Sequence, residues 1–375
     1  MKKFTINSLN KIKFFFVSRG PGETGQARAL AKYIEKKGGK ILFGIKEKRN
    51  LHFLKGDKNF KIFLVPEIES LKKVVEREKP QVLLFFNSKI WGGEFIEKPP
   101  FKKPQVSVTV DSNWLFNEKK YPKYPFIKWV DTHFVLFPEK IFKLGLKKFG
   151  GNHVIDSQTM KKIIPVGFIP SYKKPKREII QRKRKEYQIK SGEKFIFSYF
   201  SGYGADHKVW AFNNLILAVE RLIKKGRKIK VLYVGPTEDL DPKKLKKKWL
   251  IKREKLSSKE YFLSLACSDL VFQHQGLVTL SQAISAQIPV IANVSLIKRE
   301  ALIRIHFWEV KPFERAGVCK MLTKTTPIKR IARTIEMLLY NKRKRNSMIK
   351  QQRLIYKEGE KKAFEEIKKL LKQKL

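Results

Sequence analysis

The chain reads as an α/β protein of two domains, each a parallel sheet flanked by helices. Apolar runs of strand length alternate with amphipathic helical stretches through both halves. A charge-dense stretch over residues 171–190, nearly without apolar periodicity, separates those halves. Glycine-bearing turns follow strands at three places, and a loop leading into a helix at the carboxyl end of a parallel strand is where α/β proteins hold anions.

In chain order, KFFFVSRG is a strand entering a turn. Residues 26–37 follow as a helix with Ala27, Leu30, Ala31 and Ile34 on one face, stopped by Gly38 and Gly39. KILFGI is the next strand, and FKIFLV, SLKKVVEREKP and QVLLFF repeat strand, helix, strand. PQVSVTV is a strand ending at Asp111. FIKWVDTHFVLFP holds a helix-like piece and a strand, EKIFKLGLKKFG a short helix, and KKIIPVGFIP the last strand of this half.

The second half restarts with EKFIFSYFSG. A helix over residues 207–225 has Trp210, Leu215, Leu217, Ala218 and Leu222 to bury, and KIKVLYVG follows. IKRE is a short element, and SSKEYFLSLACS a helix capped by Ser257 or Ser258. A strand ends at His274, a helix opens near Thr279, and Pro289 leads into VIANV. IKRIARTIEMLLYN is helical, as is the charged tail, whose Ala363, Phe364, Ile367, Leu370 and Leu371 share one face. The expected divisions are residues 1–170, a basic linker over 171–190, a second domain over 191–345, and a C-terminal helix over 346–375.

At 375 residues with 42% apolar content there is material for two cores. No apolar run approaches the 18 or so residues of a membrane span, and the short FFFV run does not make the first twenty residues a signal peptide. Cys267 and Cys319 give neither a disulfide framework nor metal-ligand spacing, so a cytoplasmic protein is expected. Eighty-three Lys and Arg against 34 Asp and Glu leave a formal charge of +49. Such a field attracts nucleic acid or an anionic leaflet; lysine-biased decoration of solvated faces is the plainer cause.

Three segments carry chemistry. Gly22-Glu23-Thr24-Gly25-Gln26 follows the first strand, and Ser201-Gly202-Tyr203-Gly204 follows the strand that opens the second half. His274-Gln275-Gly276-Leu277-Val278-Thr279-Leu280-Ser281-Gln282-Ala283 runs on to Gln287-Ile288-Pro289. Over residues 13–342 their order resembles the GT-B glycosyltransferases, most closely the inverting MurG-like and UDP-glucuronosyltransferase-like families. The resemblance implies two Rossmann-like α/β/α domains facing across a cleft, with the acceptor on the first and a nucleotide-sugar donor on the second. The donor implied is a UDP-sugar as cosubstrate, with no permanently bound cofactor. Three positions depart from the pattern: Gln26 replaces a histidine base, Gln282 a carboxylate that grips the donor ribose, and Gln287 a glycine.

On this reading Ser201, Gly202, Gly204, His274, Gly276, Thr279 and Gln282 hold the donor. Arg19, Gly25, Gln26 and Trp114 lie on the acceptor side. Asp111, with Ser112, Asn113 and Trp114 behind it, and Glu23 are the candidate bases. The plainer readings are tight turns for the glycines, a helix N-cap for Thr279, helix surface for Gln282 and cap carboxylates for Asp111 and Glu23. His133 reads as a core or interface histidine. No metal site is expected: HExxH and CxxC are missing, and the DLD over residues 239–241 reads as a turn.

The function expected is transfer of a sugar to a glycan or lipid-linked acceptor. The aromatic and basic segment over residues 114–129 could dock at the inner face of an anionic membrane. Two alternatives stay open: a non-catalytic or nucleic-acid-binding protein on the same scaffold, and a sugar-nucleotide epimerase.

Overall fold

The computed structural model describes residues 9–86, 97–111, 128–149, 157–169, 174–200, 205–238, 240–274, 276–294 and 309–374. Its first half runs β1 (Lys13–Ser18), α1 (Pro21–Glu35), β2 (Lys40–Ile45), a 3-10 turn (Lys48–Leu54), β3 (Lys61–Leu64), α2 (Ile68–Glu78), β4 (Val82–Phe86), β5 (Val106–Asp111), β6 (Thr132–Val135), α3 (Glu139–Phe149), α4 (Ser157–Lys161) and β7 (Ile163–Pro165). These strands form one parallel sheet in the order β3-β2-β1-β4-β5-β6-β7.

The second half runs α5 (Arg177–Glu186), β8 (Lys194–Tyr199), α6 (Ala205–Lys224), β9 (Ile229–Val234), α7 (Pro242–Leu245), β10 (Leu250–Arg253), α8 (Ser258–Cys267), β11 (Leu270–His274), α9 (Leu277–Ser285), β12 (Val290–Val294), β13 (Lys320–Thr323), α10 (Ile328–Tyr340), α11 (Lys342–Ile355) and α12 (Gly359–Lys374). Its sheet is parallel in the order β10-β9-β8-β11-β12-β13. Two α/β domains with parallel sheets are thus present.

Each sheet is apolar on both faces. Phe14 and Phe16 of β1 face α1, and Phe15 and Val17 face α2, all fully buried. That two-sided burial explains why the strands read as continuous apolar runs. In α6, Leu215, Ala218 and Leu222 are buried as expected, but Leu217 is 41% exposed. Two residues along a helix turn the side chain by about 200°, which takes Leu217 off the face that Leu215 shares with Ala218 and Leu222.

The helix expected from residue 26 begins five residues earlier. Pro21 occupies the first helical position, the Glu23 carboxylate accepts from the Gly20 N–H, and the Thr24 hydroxyl donates to the Gly20 carbonyl. The two glycines of GETG hid that start. The edge strand β13 carries little sequence signal, because KMLT is short and only Leu322 in it is buried.

The segment expected as a basic linker carries α5, whose cations pack. Lys183 is 8% exposed, pairs with Glu186 at 2.6 Å and sits over the Tyr187 ring. Arg184 donates to the carbonyls of Cys267 and Glu193. Long aliphatic stems let Lys and Arg line an interior while a partner meets the charge, so a charge-dense helix can resemble a linker.

The tail expected as one helix is two, because they serve different cores. The chain divides into a unit of Met1–Ser171 with Lys357–Leu375 and a unit of Tyr172–Tyr356. Met348, Gln352 and Ile355 of α11 are buried in the second unit. Ala363, Phe364, Ile367 and Leu371 of α12 are buried against the first, with Phe364 edge-on to Tyr33 of α1. Each of Phe364, Ile367 and Leu371 contributes about 1.5–3 kcal/mol by its burial. Polar contacts fix the register of α12: Lys362 donates to the Pro165 carbonyl at 2.6 Å, and Lys374 meets Asp131 at 2.6 Å.

At its start the Gly359 N–H donates to the Phe168 carbonyl at 3.0 Å, and a Cβ on Gly359 would stand 2.5 Å from that oxygen. Gly359→Ala is therefore expected to destabilise by about 1–3 kcal/mol, read as a lower urea midpoint. A midpoint equal to that of the wild type would mean that the two backbones have room to spare.

Burial pushes the Asp131 carboxyl upward, but Lys374, the Ser107 N–H and Lys103 together outweigh it and hold its pKa below the ordinary value. A carboxylate depressed in the folded state stabilises fully above its unfolded pKa of about 3.9 and loses that contribution as pH falls towards the folded value. Melting temperatures of wild type and Asp131→Asn should differ most above about pH 5 and converge towards about pH 2. A gap independent of pH would assign Asp131 an uncharged role.

Candidate functional site

Numbering each unit's strands from its own first, both sheets share the order 3-2-1-4-5-6, with a seventh strand added in the first unit. Winding reverses between β1 and β4, and again between β8 and β11. Loops at the carboxyl ends of such a pair diverge and leave a crevice, the usual ligand position of an open α/β sheet.

In the second unit, the loop after β8 contains Ser201, Gly202 and Gly204, which lie outside the described residues. The loop after β11 is described at His274 and Gly276. His274 is 9% exposed and stands edge-on to Phe200, ring centroids 6.1 Å apart. Gly276 caps α9 with φ 139° and ψ 128°, a conformation that favours glycine. A Cβ there would meet nothing within 4 Å, so backbone conformation rather than crowding demands this glycine.

The helix opens at Leu277, two residues before the expected start, and its leading N–H groups have no acceptor within the helix. The first α9 bond, from Leu280 N–H to the Gly276 carbonyl, is long at 3.5 Å. Thr279 is the third helical residue rather than the N-cap. It lies beside the buried Tyr261 hydroxyl, whose pKa is raised by burial. Gln282 is 7% exposed, so it is not the surface residue that a bland helix would place there. A glycine-capped α-helix N-terminus is suited to a phosphate or diphosphate.

Two residues missed in the sequence complete this region. Asn293 of β12 donates from Nδ2 to the Gln273 carbonyl at 2.8 Å, and Gln273 of β11 donates from Nε2 to the Gly276 carbonyl at 3.3 Å. The only signal was an amide in each of two otherwise apolar strands; its target depends on register.

In the first unit the turn after β1 is held by side chains. Ser18 and Thr24 hydroxyls lie 2.9 Å apart, and buried Asn50 donates to the Arg19 carbonyl. The Glu23 carboxylate, a candidate base, braces the Gly20 N–H at 2.5 Å. Gly25 and Gln26 belong to α1 rather than to a loop, and Gln26 is 5% exposed. Arg19 is half exposed and 3.5 Å from Glu47; burial first, then the Arg19 charge, lowers the pKa of neighbouring Lys46.

Asp111 ends β5 at 7% exposure, and its carbonyl accepts from Leu136 N–H at 3.0 Å. Ser112, Asn113 and Trp114 lie outside the described residues. His133 is buried, with Nδ1 2.5 Å from the Thr109 hydroxyl, as a core histidine would be. Asp241 caps α7 by accepting from Lys243 N–H at 2.9 Å; Asp239 lies outside the described residues. Among the described residues no three His, Cys, Asp or Glu side chains converge on a metal-sized site, and no helix is long and apolar enough to cross a membrane.

No protein-family model and no curated protein sequence matches the chain. Solved structures do. S. aureus MnaA in complex with UDP aligns with TM-score 0.67 and 15% identity, over 96% of this chain and 97% of that one. MurG from Acinetobacter baumannii aligns with TM-score 0.61 and 12% identity, over 96% and 99%. UDP-GlcNAc 2-epimerase from Neisseria meningitidis bound to UDP-GlcNAc gives 0.58 and 14%, over 96% and 100%. Near-complete coverage at such low identity shows a shared architecture, and the fold is that of the GT-B glycosyltransferases.

Gln287, which stands where the resembling families have glycine, adopts the left-handed conformation with φ 58°. Its side-chain oxygen accepts from Arg353 of α11 at 2.7 Å, a bond that offsets part of the backbone cost. Left-handed geometry costs a residue with a Cβ roughly 1 kcal/mol relative to glycine. Gln287→Val should therefore destabilise by about 1–2 kcal/mol, because a β-branched residue fits that region worst. Gln287→Gly made in an Arg353→Ala background should stabilise by about 1 kcal/mol. Urea denaturation of both pairs checks this, and a neutral valine variant would remove strain as the explanation.

Proposed function

We propose that the chain is a nucleotide-sugar-dependent glycosyltransferase acting on a glycan or lipid-linked acceptor. The observation that carries the reading is the Gly276-capped opening of α9, beside the winding reversal of a 3-2-1-4-5-6 sheet. Free N–H groups and the positive end of α9 suit the diphosphate of a donor, and they stabilise it most as charge develops on the leaving group. His274 borders the same turn. Gln282 is assigned to the ribose, since its amide both donates and accepts. A uridine nucleotide is the donor favoured by the resemblance.

In the first unit, Asp111 is proposed to take the proton of the acceptor hydroxyl. It is preferred over Glu23 for its place at the carboxyl end of β5, whereas Glu23 lies in the first turn of α1. Gln26 has no basic atom for that step, but can orient an acceptor hydroxyl. Arg19 is proposed to meet an anionic acceptor.

A second reading, sugar-nucleotide epimerisation, gains from the likeness to the N. meningitidis epimerase. Proton NMR of a UDP-sugar incubated with the protein and no acceptor separates the two, because only an epimerase changes the sugar's configuration unaided. Thermal shifts with a panel of nucleoside diphosphates and their sugars test both. A chain that binds none of them is neither enzyme.

Gln282→Ala should weaken UDP binding by about 0.5–1.5 kcal/mol, a rise in Kd of roughly 2- to 12-fold, while Gln26→Ala leaves it unchanged. Calorimetry on the two variants gives the comparison, and equal affinities would remove Gln282 from the site. Asp111→Asn should preserve UDP affinity and lower turnover about 100-fold or more. Full turnover in that variant would return Asp111 to a structural role.

A further inference from the structure

We propose that Gln273 and Asn293 are positioning residues that fix Gly276 and the first turn of α9 in the conformation that receives a diphosphate. The proposal rests on the reading of that turn as the donor site.

The register places His274 beside Asn293 and Gln273 beside Ala292, so the two amides project to opposite faces of the sheet. Asn293 reaches across from β12 and holds the main-chain carbonyl of Gln273. Gln273 in turn reaches forward over the turn to the carbonyl of Gly276. That carbonyl is also the acceptor of the long first bond of α9, so the Gln273 amide anchors the oxygen on which the helix opens. The next strand, the turn and the helix are thereby joined in one line of side-chain donors.

These amides are costly residues to keep. Both are fully buried, and among the described residues Gln273 Oε1 and Asn293 Oδ1 have no hydrogen-bond partner. An apolar side chain would avoid an unsatisfied oxygen at either place, as Val271, Phe272, Ile291 and Ala292 do on the same strands. What an apolar residue cannot do is donate to a carbonyl. One donated bond holds the end of β11 and the other the cap of α9, and Gly276 lacks the side chain that would otherwise restrain its own backbone.

Hydrogen exchange and UDP calorimetry on the full chain test the assignment with Gln273→Met, which keeps volume and removes the donor. Amides over residues 276–280 should exchange at least about 10-fold faster in the unliganded variant, while β8, β9 and α6 keep wild-type protection. UDP should bind about 10-fold more weakly. Gln273→Glu supplies the conservative rescue: protonated, it can still donate to Gly276, and ionised it cannot. Its affinity relative to wild type should therefore recover as pH falls from about 8 to 5, since burial raises a carboxyl pKa into that range.

Unchanged exchange in Gln273→Met overturns the brace whether or not UDP binds. Faster exchange with unchanged UDP affinity and no pH-dependent recovery also overturns it, leaving a purely structural amide. If wild type binds no UDP, the donor reading fails, and the exchange rates alone decide whether the two amides hold the turn.

Discussion

Because every strand pair in both sheets is parallel, each connection between neighbours must carry the chain back from one end of the sheet to the other. All carboxyl ends then lie along one edge, and the connecting helices begin there. Right-handed crossovers cover one face while the chain winds outwards, and the other face once it returns to the first strand and winds the opposite way. The reversal at β8 and β11 sets two helix N-termini on either side of one crevice without any special residue. Gly276, His274, Gln273 and Asn293 refine a location that strand order had already created. The same constraint buries both sheet faces, which is why the core is built from aromatic and β-branched runs and why polar groups within strands stand out.

Much of this architecture was legible because the controlling signal is local. FFFV and VLLFF can hardly be anything but strands buried on both sides, and the capping box of Ser257 with Glu260 marks a helix start directly. The failures share a cause as well. GETG looks like a loop until the carboxylate of Glu23 and the hydroxyl of Thr24 are seen closing on Gly20. The segment with α5 looks like a linker until Lys183 and Arg184 are seen meeting Glu186 and main-chain carbonyls. In both, propensity was overruled by side-chain to backbone bonds whose partners are chosen by geometry.

The candidate site divides along the same line. Gly276 and the helix after it could be located from spacing alone. Gln273 and Asn293 could not, since their roles depend on which residue lies opposite in a neighbouring strand. Gln282 was placed on the right helix, but its burial follows from how α9 packs, which its own sequence does not state. Charge was the least informative property: several of the cations contributing to +49 are engaged as structural donors, as Lys362 and Lys374 are in securing α12.

The return of α12 sets an order for biosynthesis. The second unit is one continuous segment and can complete its core as soon as Tyr356 has left the ribosome. The first unit, though synthesised earlier, must wait for Phe364, Ile367 and Leu371 before the apolar surface around Tyr33 is covered. The older part of the nascent chain is thus the later to complete its core, and its apolar surface around Tyr33 stays uncovered until α12 is made.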